Sequence, residues 1–304
     1  MTQTLRAFDP ERPAGPVRPQ TVQELFDLYV KHEEKEQSAR TFEERKRLLD
    51  LYAESYGVMP IADLIPADLE LWLKGFPSWK SDWTLHRVVG TIQLPFNWGS
   101  RLGLIGRNPF LSVTHPTGER GKPIEQCDFQ TLLRSTDALF RRVLAFQWWT
   151  GARPCEMAAL EWSFIDTDEG TATLYIHKTA KSRKDRAPRI VYLPEPAVKL
   201  LVWIAKRQQP GERFVFLNSR GGPWNRGSLT LRIYRLRKRL GLSAIVRLYG
   251  IRHRWASRLA KAKVELKTLA TLLGHTTARM AEHYVHMAGE TDYLRDELRR
   301  GLGK

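Results

Sequence analysis

Residues Tyr249–Met287 read YGIRHRWASRLAKAKVELKTLATLLGHTTARMAEHYVHM, and the polar residues of this stretch are harder to explain than its apolar ones. Ile251, Trp255 and Leu259 recur at helical spacing and predict a buried stripe. Arg252 lies beside that stripe, so it is at least partly covered, and a guanidinium is seldom buried without an anionic partner. Leu269, Leu272 and Leu273 finish a second apolar helix, and Gly274 suits the residue that follows a helix end. His275 comes next, on backbone held by that cap. Tyr284 stands between His283 and His286 on a third segment. Taken singly, an internal salt bridge, a structural histidine and a packed tyrosine would account for these residues.

Upstream, Thr150–Trp162 reads TGARPCEMAALEW. Pro154 at a helix start and Glu156 in the first turn are good capping chemistry. Arg153 then sits at the positive end of a helix dipole, where an anion is welcome and a cation is not; a surface arginine is the plain alternative. Thr173–Ile176 and Ile190–Leu193 alternate or run apolar with β-branched residues and predict strands. Between them lies a basic loop with Lys178, Lys181, Arg183, Lys184 and Arg186. Helices resume near Cys127 and Leu139, and a later one, Ser228–Leu240, sets Leu229, Ile233, Leu236 and Leu240 on one side and Arg232, Arg235 and Arg239 on another.

The first half has a different texture. Residues 1–18, with Pro10, Pro13 and Pro16, predict an extended arm. Thr21 and Glu24 form a capping-box pattern, after which Val22, Leu25, Phe26, Tyr29 and Val30 share one helical stripe. Further helices are expected over Thr41–Tyr56, from Pro66 and Asp68 with Leu69, Trp72 and Leu73 inward, and over Leu85–Leu102. Nothing there reads as a strand. The expected division is therefore a helical domain over 19–112, a Pro- and Gly-bearing linker over 113–123, and a mixed α/β domain over 124–304.

Lys and Arg number 49 against 33 Asp and Glu in 304 residues, a formal charge of +16. Such a surface attracts polyanions, because binding releases condensed counterions, and nucleic acid is the first candidate. No run of about 18 apolar residues could span a bilayer, and the N-terminus lacks an apolar signal core. Cys127 and Cys155 form neither a metal motif nor a disulfide framework. A cytoplasmic, nucleoid-associated, metal-free protein without a membrane or small-molecule partner is expected.

In this order the separate signals have one joint explanation. The chain resembles the tyrosine recombinase (phage integrase) family, whose catalytic domain carries TGxRxxE, a hairpin lysine, an HxxRH box, an LLGH box and a YxH motif. Here stand Arg153 with Glu156, the lysine-rich hairpin, Arg252 with His253, Leu272–His275, and Tyr284 with His286. The likeness extends to the first half, where Asn97–Pro109 is similar to an NWxxxxxLIxxNP stretch of the family's core-binding domain. One position departs: Tyr249 occupies the place of the first histidine of the HxxR box. A phenol can still donate a hydrogen bond to phosphate, but it shuttles protons less readily than imidazole near neutral pH.

The resemblance implies a mainly α fold with a small sheet, in which a SAM-like helical domain precedes the catalytic domain. It further implies that Tyr284 attacks a phosphodiester of double-stranded DNA to leave a 3′-phosphotyrosyl link. Arg153 and Arg252 would offset phosphate charge, with Tyr249 and His275 as hydrogen-bond donors. Lys178, first in KTAKSR, is the implied general acid and Lys181 the second choice; Glu156 and His253 would orient the site. The covalent link conserves bond energy, so no cofactor, ATP or metal is expected. Two domains would clamp the duplex and four protomers would act on two sites, the segment with Tyr293, Leu294 and Leu298 packing on a neighbour or on its own domain. Two readings compete with a recombinase: relaxation of DNA in the manner of a type IB topoisomerase, and a DNA-binding protein of this fold whose catalysis is weak or lost.

Overall fold

The computed structural model describes residues 18–34, 36–115, 117–118, 121–175 and 188–287, without the side chains of residues 283 and 285–287. Lys178 and Lys181, the rest of the basic loop, and the segment with Tyr293, Leu294 and Leu298 lie outside the described residues. The chain divides into two compact units, residues 1–119 and 120–304.

In the first unit, helix α1 (Val22–Glu33) starts where its caps dictate. Thr21 accepts from the Glu24 N–H at 3.3 Å, and the Glu24 carboxylate accepts from the N–H of Gln20 at 2.7 Å. Helix α2 (Ala39–Tyr56) begins ahead of the expected Thr41 because Ser38 caps it. Pro66 opens α3 (Pro66–Lys74), and the Asp68 carboxylate accepts from the N–H of Ile65 at 2.8 Å. Helix α4 (Asp82–Arg101) carries Val88, Val89, Ile92 and Phe96 into a core shared with Leu25, Phe26, Tyr52 and Leu69. That core continues into the segment after α4, where Phe110 and Val113 are buried. Gln93 donates to their carbonyls at 2.6 and 2.8 Å, and Asn108 donates to Asn97 at 2.8 Å. The two asparagines of the Asn97–Pro109 stretch thus fasten the chain back onto α4.

The second unit is mixed. After α5 (Gln126–Ser135), α6 (Ala138–Thr150) and the short α7 (Pro154–Ala158) comes an antiparallel sheet in the order β1 (Ile165–Asp166), β2 (Thr171–Leu174), β3 (Arg189–Tyr192). Leu174 pairs with Arg189 and Thr171 with Tyr192. Strand parity buries Ala172 and Leu174 on β2 and, on β3, Val191 together with Arg189, one residue ahead of the strand start expected from sequence. Helices α8 (Glu195–Ala205) and α9 (Arg226–Arg239) contribute Ala197, Leu201 and Ile204, and Leu229, Ile233 and Leu236, to the same core. Sequence reading had not picked out α8 or β1.

Helix α10 (Leu248–Lys261) packs on α6 and on α12 (Arg279–Met287), with α11 (Leu266–Leu273) beside them. Ala256, Ala260, Leu269, Leu273, Ala281 and Tyr284 form a core of their own. The stripe read along α10 is displaced: Ile251, Ala256 and Ala260 are buried, whereas Trp255 and Leu259 are only partly so. Arg252 and Ser257 are buried on the same helix.

Candidate active site

The site is assembled from helix ends. Helix α6 stops at Gly151 with φ +62° and α11 at Gly274 with φ +62°, the left-handed conformation that glycine adopts without penalty. Both turns are also crowded. A Cβ on Gly151 would fall 2.4 Å from the Trp255 ring, and one on Gly274 2.5 Å from Nε of Arg189. Each turn leaves carbonyls of a helix C-terminus pointing inward, the negative end of the dipole, where cations are favoured.

Three guanidiniums occupy that place. Arg252, 3% exposed, donates to the Gly151 carbonyl at 2.7 Å and to that of Leu273. Arg153 donates to the Gly274 carbonyl at 2.9 Å. Arg189 donates to the carbonyls of Thr271 at 3.1 Å and Leu272 at 2.6 Å. Arg153 does start a helix, α7, as expected; its side chain leaves the positive end of that dipole and reaches the negative end of α11 instead.

Glu156 is the carboxylate set among them. Its oxygens accept from the Arg153 side chain and from the Arg153 N–H, each at 2.7 Å, and lie 3.7 Å from Nε of Arg189. Burial opposes its ionisation, yet Arg153, Arg189 and Arg252 together hold its pKa below the ordinary value. Burial first, and the charge of Arg153 next, lower Arg252 to about 10, so it stays cationic at neutral pH. Three buried guanidiniums against this one carboxylate leave an excess of two positive charges, which suits an anionic substrate.

Tyr284 faces this charge from α12. Its ring is 2% exposed and its hydroxyl lies 2.9 Å from Nδ1 of His253 on α10. Burial raises its pKa, while Arg252 and Arg153 lower it and Tyr249 raises it. The ring of His275, on the backbone after the Gly274 cap, stands 6.5 Å from that of Tyr284 and nearly parallel to it. Tyr249, one helical turn before His253, is 37% exposed. Arg153, Glu156, Tyr249, Arg252, His253, His275 and Tyr284 are thus brought together; Lys178 is not among the described residues.

Arg189 was missed from sequence. Its signal was parity, since it alternates with Val191 on the inward face of a strand, where an arginine is out of place unless it meets acceptors. Among the described residues, no group of three metal-ligating side chains occurs, and no helix is long and apolar enough to cross a membrane.

Comparison with known proteins bears on the family and the fold. Residues 124–290 match the phage integrase family. The tyrosine recombinase XerC of Oceanobacillus iheyensis is 27% identical over 288 residues, covering 86% of this chain and 90% of the relative. The Tn1549 transposon integrase, solved with a circular intermediate DNA, superposes with a TM-score of 0.77 at 19% identity, covering 93% of this chain and all of that one. A lambda integrase tetramer bound to a Holliday junction gives 0.70 at 17% identity, over 87% of this chain and 77% of that one.

Proposed function

This chain belongs to the phage integrase family, and from that premise we propose that Tyr284 is the nucleophile with which it cuts and rejoins DNA. It is a site-specific recombinase, a DNA strand transferase of the tyrosine type. The observation that carries the assignment of Tyr284 is its place: the buried phenol lies 2.9 Å from Nδ1 of His253, next in the chain to Arg252, whose guanidinium shares the end of α11 with that of Arg153.

A phosphodiester is anionic and resists nucleophiles, so the site must offset charge as it grows on pentacoordinate phosphorus. Guanidiniums already fixed by carbonyls and by Glu156 do this without reorganising. Arg153 and Arg252 hold the nonbridging oxygens, and His275 and Tyr249 supply further hydrogen bonds. Tyr284 Oη bonds to phosphorus, the P–O5′ bond breaks, and Lys178 protonates the leaving oxygen. The bond energy is kept in the phosphotyrosine, so rejoining requires neither ATP nor metal. The partner is double-stranded DNA, a homotetramer acts on two sites, and the enzyme works in the cytoplasm with the nucleoid. The charge of +16 supports the DNA partner.

Covalent capture tests the reading. The protein is incubated with fragmented host DNA without metal or ATP, denatured, and the attached DNA is sequenced. Adducts gathered at a few inverted-repeat sites, absent from Tyr284→Phe although it binds DNA normally, are expected. Adducts that persist in Tyr284→Phe would refute the nucleophile; binding without adducts would mark a DNA-binding protein of this fold.

A further inference from the structure

We infer that His253 is the general base of strand cleavage, taking the proton of Tyr284 directly through its Nδ1 as the hydroxyl attacks phosphorus. The inference deepens the recombinase reading and rests on it. His253 then reacts instead of only orienting the site.

Three observations carry it. The Tyr284 hydroxyl lies 2.9 Å from Nδ1 of His253, within the reach a general base requires. The hydroxyl is buried, and burial disfavours the phenolate, so its proton must leave as the O–P bond forms. The remaining side chain of the box that could serve, Tyr249, is itself a phenol and a weak proton acceptor at neutral pH beside an imidazole. Tyr249 and His253 are four residues apart on α10 and so lie on one face of it. The proton acceptor is thereby moved one helical turn along the same helix.

The surroundings fit the role. For Nδ1 to accept, the ring proton must be on Nε2, and that edge lies against Gly121, where a Cβ would fall 2.9 Å from Nε2. The ring is therefore set from both sides, by Tyr284 and by the backbone at Gly121. The charged and titratable groups acting on Tyr284 are Arg252, Arg153 and Tyr249, and the His275 ring stands 6.5 Å from it. With the phosphate engaging the two guanidiniums, its negative charge stabilises the imidazolium that forms.

The step balances. Oη–P forms and P–O5′ breaks, the phenolic proton passes to Nδ1, and O5′ takes a proton from Lys178. In rejoining, the 5′-hydroxyl returns its proton to the lysine and His253 gives its own to the departing phenolate. No redox partner or co-reactant is involved.

The test measures adduct formation against pH on a captured DNA site carrying either oxygen or sulfur at the 5′-bridging position. A thiolate leaving group requires no proton, so sulfur rescues loss of the acid but not of the base. His253→Gln should slow adduct formation by about 10²-fold or more while DNA affinity holds. The deficit should persist with sulfur and shrink as pH rises toward phenol ionisation, whereas sulfur should erase the deficit of Lys178→Ala. Gly121→Ala, which displaces the ring without touching its chemistry, should show the same sulfur-insensitive deficit. A His253→Gln rate within about threefold of wild type, well below what a general base contributes, would overturn the assignment. So would a deficit that sulfur erases or that pH leaves unchanged. A wild-type protein that forms no adduct on any DNA would instead remove the recombinase reading, and the base with it.

Discussion

Replacing Glu156 by glutamine tests the charge arrangement on which the site is built. The substitution keeps the shape of the side chain but leaves one acceptor oxygen where there were two, so either the Arg153 guanidinium or the Arg153 N–H loses its 2.7 Å bond. It also removes the negative charge that Arg189 approaches at 3.7 Å, raising the excess of buried positive charge from two to three. A lost neutral hydrogen bond alone would cost about 1–3 kcal/mol. Stripping a buried ion pair of one partner costs about 3–5 kcal/mol, and with Arg153, Arg189 and Arg252 all coupled to Glu156 the larger figure applies. Taking a urea slope of about 3 kcal/mol/M for a unit of this size, the midpoint should fall by about 1–2 M. The assay is urea unfolding of the full chain at a series of pH values. Because Glu156 titrates below its ordinary value when folded, its contribution is complete above the unfolded pKa and is lost as pH falls through the folded one. Wild type and Glu156→Gln should therefore differ most at neutral pH and converge in acid. A loss under about 1 kcal/mol at pH 7, or a gap that acid does not narrow, would mean that the helix C-termini alone suffice to hold the three guanidiniums and that Glu156 does not.

Two further outcomes bear on the same site. Gly274→Ala forces a left-handed alanine at a cost of about 1–2 kcal/mol and sets a methyl against Arg189, so thermal stability and adduct formation should both drop; an unaltered melting temperature would show that the α11 cap is not as tight as described. Arg153→Ala should slow adduct formation by about 10²–10³-fold with little change in DNA affinity measured by titration; an equal fall in both would reduce it to a phosphate clamp.

Much of the fold was legible along the chain because its signals are local. Thr21 with Glu24, and Pro66 with Asp68, mark helix starts through side chains that satisfy backbone N–H groups a few residues away. Asn97 and Asn108 stand out in the sequence only as part of a stretch, but their mutual bond, and the use of Gln93 to hold the Phe110 and Val113 carbonyls, depend on the chain folding back on α4. Helix α8 passed unnoticed, since Pro194 and Pro196 at its start resemble a break until Ala197, Leu201 and Ile204 are seen against the core.

For the site, residue types and order along the chain point to Arg153, Arg252, His275 and Tyr284 as candidates, because the family's boxes are short and contiguous. What they touch could not be read there. Arg252 was expected to need an anion and instead meets the carbonyls of Gly151 and Leu273, supplied by two helices that end beside it. Arg189 was invisible as a site residue because its acceptors, Thr271 and Leu272, are some eighty residues away. Most of the helices, the strand pair and the inventory of charged groups could be read along the chain, since propensity, capping and periodicity act over a few residues. Only the tertiary structure decided that two left-handed glycine turns aim their helix ends at one point, and that Tyr284 meets His253 there, because both depend on packing among segments that the chain itself keeps far apart.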